Sequence, residues 1–84
     1  MTTNEFAAQI QEIMSRPYHR VITGEPVGGY LGEVPELPGC YTAGSTPREA
    51  LDNLEEATTL WLESALAHGD PIPMPASSLA QLSA

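Results

Sequence analysis

The sequence predicts an α+β protein: a three-stranded antiparallel sheet with a long helix packed on one face, an extra N-terminal helix and a short C-terminal edge strand. Two segments, one before Pro17 and one after Thr46, repeat apolar residues at helical spacing. Between them lie three short segments rich in β-branched and aromatic residues, separated by turns of glycine and proline. With 84 residues, the chain has room for one small core.

The N-terminal region, residues 1–17, is expected to form an amphipathic helix. Thr2 and Glu5 have the spacing of a capping box, which satisfies the first backbone donors of a helix. Pro17 ends the pattern because the residue before a proline is pushed out of helical geometry. These limits predict a helix of about 12 residues. Its apolar stripe consists of Phe6, Ile10, Ile13 and Met14.

Three strands are predicted in the middle of the chain, at residues 18–23 (YHRVIT), 30–34 (YLGEV) and 40–43 (CYTA). The first turn, GEPVGG, suits a hairpin because glycine permits positive φ and proline presets its own φ. The second turn, PELPG, is rigid, since its two prolines remove backbone donors. Gly32 within the second strand leaves space for a helix to approach the sheet closely.

The long helix has the clearest boundaries in the sequence. Thr46 is a suitable N-cap, Pro47 suits the first helical position, and Glu49 completes a capping box. Gly69 supplies the C-terminal stop. The proline-rich residues 70–75 then favour an edge strand or a polyproline-like segment, and residues 76–84 are expected to be disordered or weakly docked. The apolar stripe of this helix contains Ala50, Leu51, Leu54, Ala57, Trp61, Leu62, Ala65 and Leu66.

Composition narrows the possible functions. Eleven acidic residues oppose three arginines, lysine is absent, and the formal net charge is −8. Such a chain cannot assemble the basic patch that a nucleic-acid backbone requires, whereas it would attract a basic protein. Solubility alone is the competing explanation of the charge. Cys40 is the only cysteine and the two histidines lie far apart, so we expect no disulfide within the chain, no metal and no cofactor.

No apolar run approaches the roughly 20 residues of a membrane helix, and the N-terminus lacks the basic start and apolar core of an export signal. We therefore expect a cytoplasmic protein without membrane association.

The segment from Gly32 to Leu66, GEVPELPGCYTAGSTPREALDNLEEATTLWLESAL, followed by PIPMP, resembles the N-terminal domain of HicB antitoxins. The shared pattern is a strand ending in Val-Pro, a Leu-Pro-Gly turn, a further strand, a Gly-polar-Thr cap and a helix rich in Glu, Ala and Leu. The resemblance covers residues 18–75. The matching positions are Val34, Pro35, Leu37, Pro38, Gly39, Gly44, Ser45, Thr46, Glu49, Ala50, Asn53, Ala57, Trp61, Pro71 and Pro73.

The resemblance implies a partial RNase H-like fold and an antitoxin function. Members of the family neutralise a HicA toxin, a small basic RNA-cleaving protein, by masking its active surface. Full-length members usually carry a C-terminal DNA-binding domain, which the sequence does not show, so the resemblance does not extend to autorepression by this chain alone. The alternative is a stand-alone oligomeric relative or regulator with no toxin partner.

A metal-dependent nuclease is the less favoured alternative that the RNase H likeness raises. Such enzymes cluster several carboxylates around paired cations. The available groups, Glu25, Glu33, Glu36 and Asp52, fall in turns or on separate elements, and no central-strand aspartate is present. We therefore interpret them as surface carboxylates and expect no enzymatic activity.

If the chain binds a toxin, Glu33 and Glu36 beside the rigid turn are the expected contacts, with Glu25 a weaker candidate. Tyr41 is a candidate anchor, because tyrosine is enriched at protein interfaces, and a half-buried core position is the alternative for a strand tyrosine. The wide apolar stripe of the long helix predicts a homodimer or homotetramer, with Trp61 and Leu62 as the expected oligomer contacts. A core position is the alternative for Trp61. For each carboxylate, simple solvation is the competing interpretation.

Overall fold

The computed structural model describes residues 6–77. Within them the elements follow the order α1, β1, β2, β3, α2, which confirms the predicted α+β class and the antiparallel sheet. No strand forms at residues 70–77, so the predicted C-terminal edge strand is not found there. The bounds are α1 Ala7–Met14, β1 Val21–Glu25, β2 Gly29–Glu33, β3 Tyr41–Gly44 and α2 Pro47–His68.

The sheet has the strand order β1-β2-β3, and its register assigns side chains to two faces. Gly32 lies between Ile22 and Thr42, while Glu33 lies between Val21 and Tyr41. Because side chains alternate along a strand, the two rows point to opposite faces. Helix α2 covers the face that carries Gly32.

Gly32 allows this contact, as the sequence predicted. A Cβ atom there would lie 3.2 Å from the Ala50 carbonyl oxygen of α2 and 3.2 Å from Cδ1 of Ile22. The helix therefore approaches the backbone of β2 directly. The opposite face, here named the open sheet face, consists of Val21, Thr23, Glu25, Leu31, Glu33, Tyr41 and Ala43.

Both ends of α2 lie where the sequence predicts, although the Glu49 half of the capping box binds Ser45, the residue before the N-cap. The Thr46 hydroxyl accepts a hydrogen bond from the Glu49 N–H at 3.0 Å, and the Glu49 carboxylate accepts one from the Ser45 N–H at 2.5 Å. At the other end Gly69 has φ +70°, and the Asp70 N–H donates to the Ala65 carbonyl. These local bonds satisfy backbone groups that a helix leaves unpaired at its ends.

Helix α1 is shorter than the sequence predicts. It contains eight residues and begins at Ala7, and its N-cap residue, Phe6, forms no side-chain cap. The proposed capping box of Thr2 and Glu5 lies outside the described residues. The helix ends ahead of Pro17, as expected, and it packs on α2 without contacting a strand.

The core lies between α1, α2 and the covered face of the sheet. Leu62, a predicted oligomer contact, is completely buried in it, so its side chain is already used within one chain. Trp61 is half-buried, and its ring N–H donates to the Pro38 carbonyl at 2.8 Å, which fixes the rigid turn to α2. The buried cluster comprises Ile10, Ile13, Tyr18, Val34, Leu37, Cys40, Leu54 and Leu62.

Candidate functional site

The open sheet face is the best candidate for a binding surface. Tyr41 on the edge strand β3 is 63% exposed, and Leu31 on the central strand β2 is 46% exposed, so two large side chains are exposed on one face. Neither helix contacts this side, because α2 occupies the opposite face and α1 packs on α2. Within residues 6–77 the surface is therefore available to another molecule.

Three of the four predicted contact residues, Glu25, Glu33 and Tyr41, lie on this one face. Glu33 and Tyr41 are direct cross-strand neighbours, and Glu25 lies at the hairpin end of β1. Leu31, which forms the next row with Thr23 and Ala43, was not among the contacts predicted from the sequence. Because side chains alternate between the two faces along β2 (GYLGE), the sequence already places Leu31 on the same face as Glu33. Only the strand register shows which residues of β1 and β3 lie next to them.

The Glu33–Tyr41 pair is closely spaced. The Val34 N–H donates to the Cys40 carbonyl at 3.0 Å, while the Cys40 N–H donates to the Leu37 carbonyl, so one ladder bond joins positions 34 and 40. The adjacent pair, Glu33 and Tyr41, is then of the non-hydrogen-bonded kind, in which Cα atoms are about 4.5 Å apart. Neither side chain forms a hydrogen bond or ion pair within residues 6–77.

Glu36, the fourth predicted contact, is not the surface carboxylate that the sequence suggested. It is only 6% exposed. Its carboxylate accepts the His19 backbone N–H at 3.2 Å, the His19 ring Nδ1–H at 2.7 Å and the Ala76 N–H at 3.1 Å. Glu36 therefore joins the rigid turn to His19 and to Ala76. Its contact with a toxin stays a prediction, and the burial of the carboxylate does not favour it.

These contacts also affect the ionisation of Glu36. Burial by itself would raise the pKa of this carboxyl. The His19 ring and the N–H groups of Ala76, Glu36 and His19 donate to the ionised form, and their combined effect holds the pKa below its usual value. The carboxylate is thus stabilised in its charged form by the folded structure.

The proline-rich segment at residues 70–77 is held by side chains. The Tyr18 hydroxyl donates to the Pro73 carbonyl, Arg16 contacts the Met74 sulfur at 3.7 Å, and Glu36 accepts from Ala76. Prolines at alternate positions remove the donors that a strand ladder needs, which explains why side chains replace the predicted strand pairing.

Within residues 6–77 no group of three or more His, Cys, Asp or Glu side chains could hold a metal ion. Glu36 is buried against His19, Asp52 lies exposed on α2, and Glu33 lies on the open sheet face. The carboxylates considered for a nuclease site therefore do not converge. No helix in the same range is long and apolar enough to cross a membrane.

The chain is similar in sequence or structure to several known proteins. A UPF0150 protein of Thermoplasma acidophilum is 45% identical over 56 residues, which cover 67% of this chain and 81% of that protein. A UPF0150 protein of Synechocystis is 39% identical over 56 residues, covering 67% and 71%. The crystal structure of TTHA0281 from Thermus thermophilus matches with a TM-score of 0.56 and 27% identity, covering 87% of this chain and 86% of that one.

The family model described as the HicB-like antitoxin of bacterial toxin–antitoxin systems matches residues 18–84, most of the chain. That range contains the hairpin, the rigid turn and the capped helix α2. The chain belongs to the HicB-like antitoxin family.

Proposed function

We propose that the chain is an antitoxin that neutralises a small basic HicA-type RNA-cleaving toxin in the cytoplasm, with the open sheet face covering the toxin's active surface. The carrying observation is this uncovered face, with Tyr41, Leu31 and Glu33 exposed together. We also propose that the sheet and α2 together form a partial RNase H-like fold, as the family resemblance suggests. In this role the chain is a binding protein without catalytic activity.

Charge supports a basic protein as the partner. The net charge is −8, and one of the three arginines, Arg16, is already paired with Glu12 at 2.7 Å. The chain therefore repels RNA phosphates but attracts a surface evolved to hold them. An inhibitor of this charge competes with RNA for the same basic residues, so steric masking and electrostatic attraction act together.

The exposed residues have the arrangement of a small interface. Leu31 and Tyr41 provide an apolar and aromatic centre. The Glu33 carboxylate lies directly opposite Tyr41, and the Glu25 carboxylate lies at the hairpin end of β1. Aromatic anchors at the centre of an interface contribute most to affinity, and charged groups direct orientation and encounter. Glu36 acts indirectly here, through the packing of the rigid turn that precedes β3.

Charge reversal tests the proposal. We expect Glu33→Lys to weaken binding of a HicA-like toxin from the same genome by about 100-fold, since it places a like charge against a basic surface. Isothermal titration calorimetry measures the affinity, and an RNA-cleavage assay measures inhibition. Glu55→Lys is the matched control: it changes the net charge equally but lies exposed on α2. Equal losses in both variants would place the contact elsewhere.

A stand-alone oligomer is the second candidate, and the helical side of the molecule favours it. Leu60 on α2 is 61% exposed, and an apolar groove of about 420 Å³ between the helices is lined by Ala7, Met14 and Thr59 among others. Exposed apolar surface on two adjacent helices is typical of a contact between copies. This surface lies away from the open sheet face, so self-association and toxin binding are compatible.

We expect light scattering to show a homodimer or homotetramer at micromolar concentration. Leu60→Lys should shift it to the monomer, because a charge replaces an apolar contact, while Leu31→Lys should leave the mass unchanged. A monomeric parent chain would contradict this prediction. An oligomer that binds no HicA-like toxin would favour the stand-alone function.

A further inference from the structure

We infer that the Glu33–Tyr41 pair is a recognition site for an arginine side chain of the partner protein. The inference rests on the proposed function and specifies how the open sheet face would select its partner. The carrying observation is the combination of an exposed carboxylate and an exposed aromatic ring, directly opposite each other on neighbouring strands, with no partner within residues 6–77.

The chemistry of this pair matches a guanidinium group. A planar guanidinium stacks on an aromatic face and at the same time donates two hydrogen bonds to a carboxylate. Glu33 supplies the carboxylate in the central strand, and Tyr41 supplies the ring in the edge strand, 63% exposed. The close spacing of a non-hydrogen-bonded pair allows one side chain to contact both groups.

The neighbouring residues suit the aliphatic stem of arginine. Val21 lies on the other side of Glu33, and Leu31 lies in the next row of the same face. Long cationic side chains cover apolar surface with their methylene groups while the charged end finds a polar partner. Lysine meets these requirements less well, because an ammonium group is compact and cannot stack as a plane.

Two other occupants fit the surface less well. An exposed tyrosine could stack on a nucleobase, but Glu33, Glu25 and the net charge of −8 oppose the attached phosphates. A second copy of the chain could offer Arg20 or Arg48, but it would bring the same net charge of −8. A basic partner supplies the arginine without that repulsion.

Short cationic peptides test arginine recognition independently of any toxin. Hexa-arginine and hexa-lysine carry equal charge, so both are added to the ¹⁵N-labelled protein at low salt and followed by NMR. We expect the amide signals of residues 33 and 41 to shift, with hexa-arginine bound about threefold to fivefold more tightly than hexa-lysine. Tyr41→Leu and Glu33→Gln should each remove the preference, whereas Glu55→Gln on α2 should keep it.

A parallel calorimetric titration with the HicA-like toxin separates failure of the inference from failure of the proposed function. Toxin binding that Tyr41→Leu and Glu33→Gln do not weaken, together with equal peptide affinities, would overturn the arginine site and leave the antitoxin function standing. No toxin binding by the parent chain would remove the function, and the peptide preference would still decide the site. Loss of self-association in Tyr41→Leu would identify a second copy as the occupant and overturn the inference.

Discussion

Replacing Glu36 with alanine should lower the free energy of unfolding by about 3 kcal/mol, because several N–H donors lose their shared acceptor at once. The carboxylate is nearly inaccessible, and it accepts from His19 twice and from Ala76. Its removal leaves these donors without an acceptor and takes away one of the side-chain contacts that hold the proline-rich segment. Urea denaturation monitored by Trp61 fluorescence measures the loss.

The pH dependence of stability gives a second measurement of the same carboxylate. Because the folded structure lowers the pKa of Glu36, its contribution is present above the unfolded value, near 4.5, and is lost as pH falls through the folded value. The stability of the parent chain should therefore fall as the pH is lowered from about 6 to about 3. Glu36→Gln should be less stable near pH 6 and should show a weaker dependence over this range.

Glu33→Gln is the matched control for both measurements. It removes a carboxylate from the end of the neighbouring strand β2, but that group is exposed and has no partner in residues 6–77. We expect it to change the free energy of unfolding by less than about 0.5 kcal/mol. Equal effects of Glu36→Gln and Glu33→Gln would show that the Glu36 contacts do not stabilise the fold.

Adding one methyl group at Gly44 should destabilise the protein by about 2–3 kcal/mol, because overpacking cannot be relieved by a side-chain rotation here. A Cβ atom at this position would lie 2.5 Å from the Ala50 nitrogen, 2.8 Å from the Ala50 Cα and 2.9 Å from the Glu49 carbonyl carbon. All three are backbone atoms of the first turns of α2. The helix would have to move away from β3, which would open the core.

A series of glycine-to-alanine variants tests whether the loss of stability follows the distance between the added Cβ and its nearest neighbours. Gly32→Ala should cost less than Gly44→Ala, since its tightest contacts are 3.2 Å and one of them is the movable Cδ1 of Ile22. Gly28→Ala should be nearly neutral, because its Cβ would meet only the Glu25 side chain, at 3.4 Å. Thermal unfolding followed by circular dichroism ranks the three. Any other order would mean that helix–sheet distance does not limit these positions.

The sequence alone predicted those parts of the structure that depend on residues close together along the chain. The ends of α2 follow from Thr46, Pro47 and Gly69, whose hydrogen-bonding and φ preferences act within one helical turn. The rigid turn at residues 35–39 follows from its prolines and glycine in the same way. The close approach of α2 to Gly32 was also predictable, since only glycine leaves that space.

The candidate site was only partly predictable. Glu33 and Tyr41 were proposed separately, and the strand register made them neighbours. A shift of one residue would have placed them on opposite faces, because side chains alternate along a strand. Sequence spacing alone therefore could not show that an acceptor and an aromatic ring would lie together.

The tertiary structure alone decided the position of Glu36. Its sequence context, a turn rich in proline, is typical of a solvated carboxylate. Its partners His19 and Ala76 lie 17 and 40 positions away, so no local pattern could indicate them. A carboxylate can be buried when several donors meet it there, and only the folded chain brings those donors together.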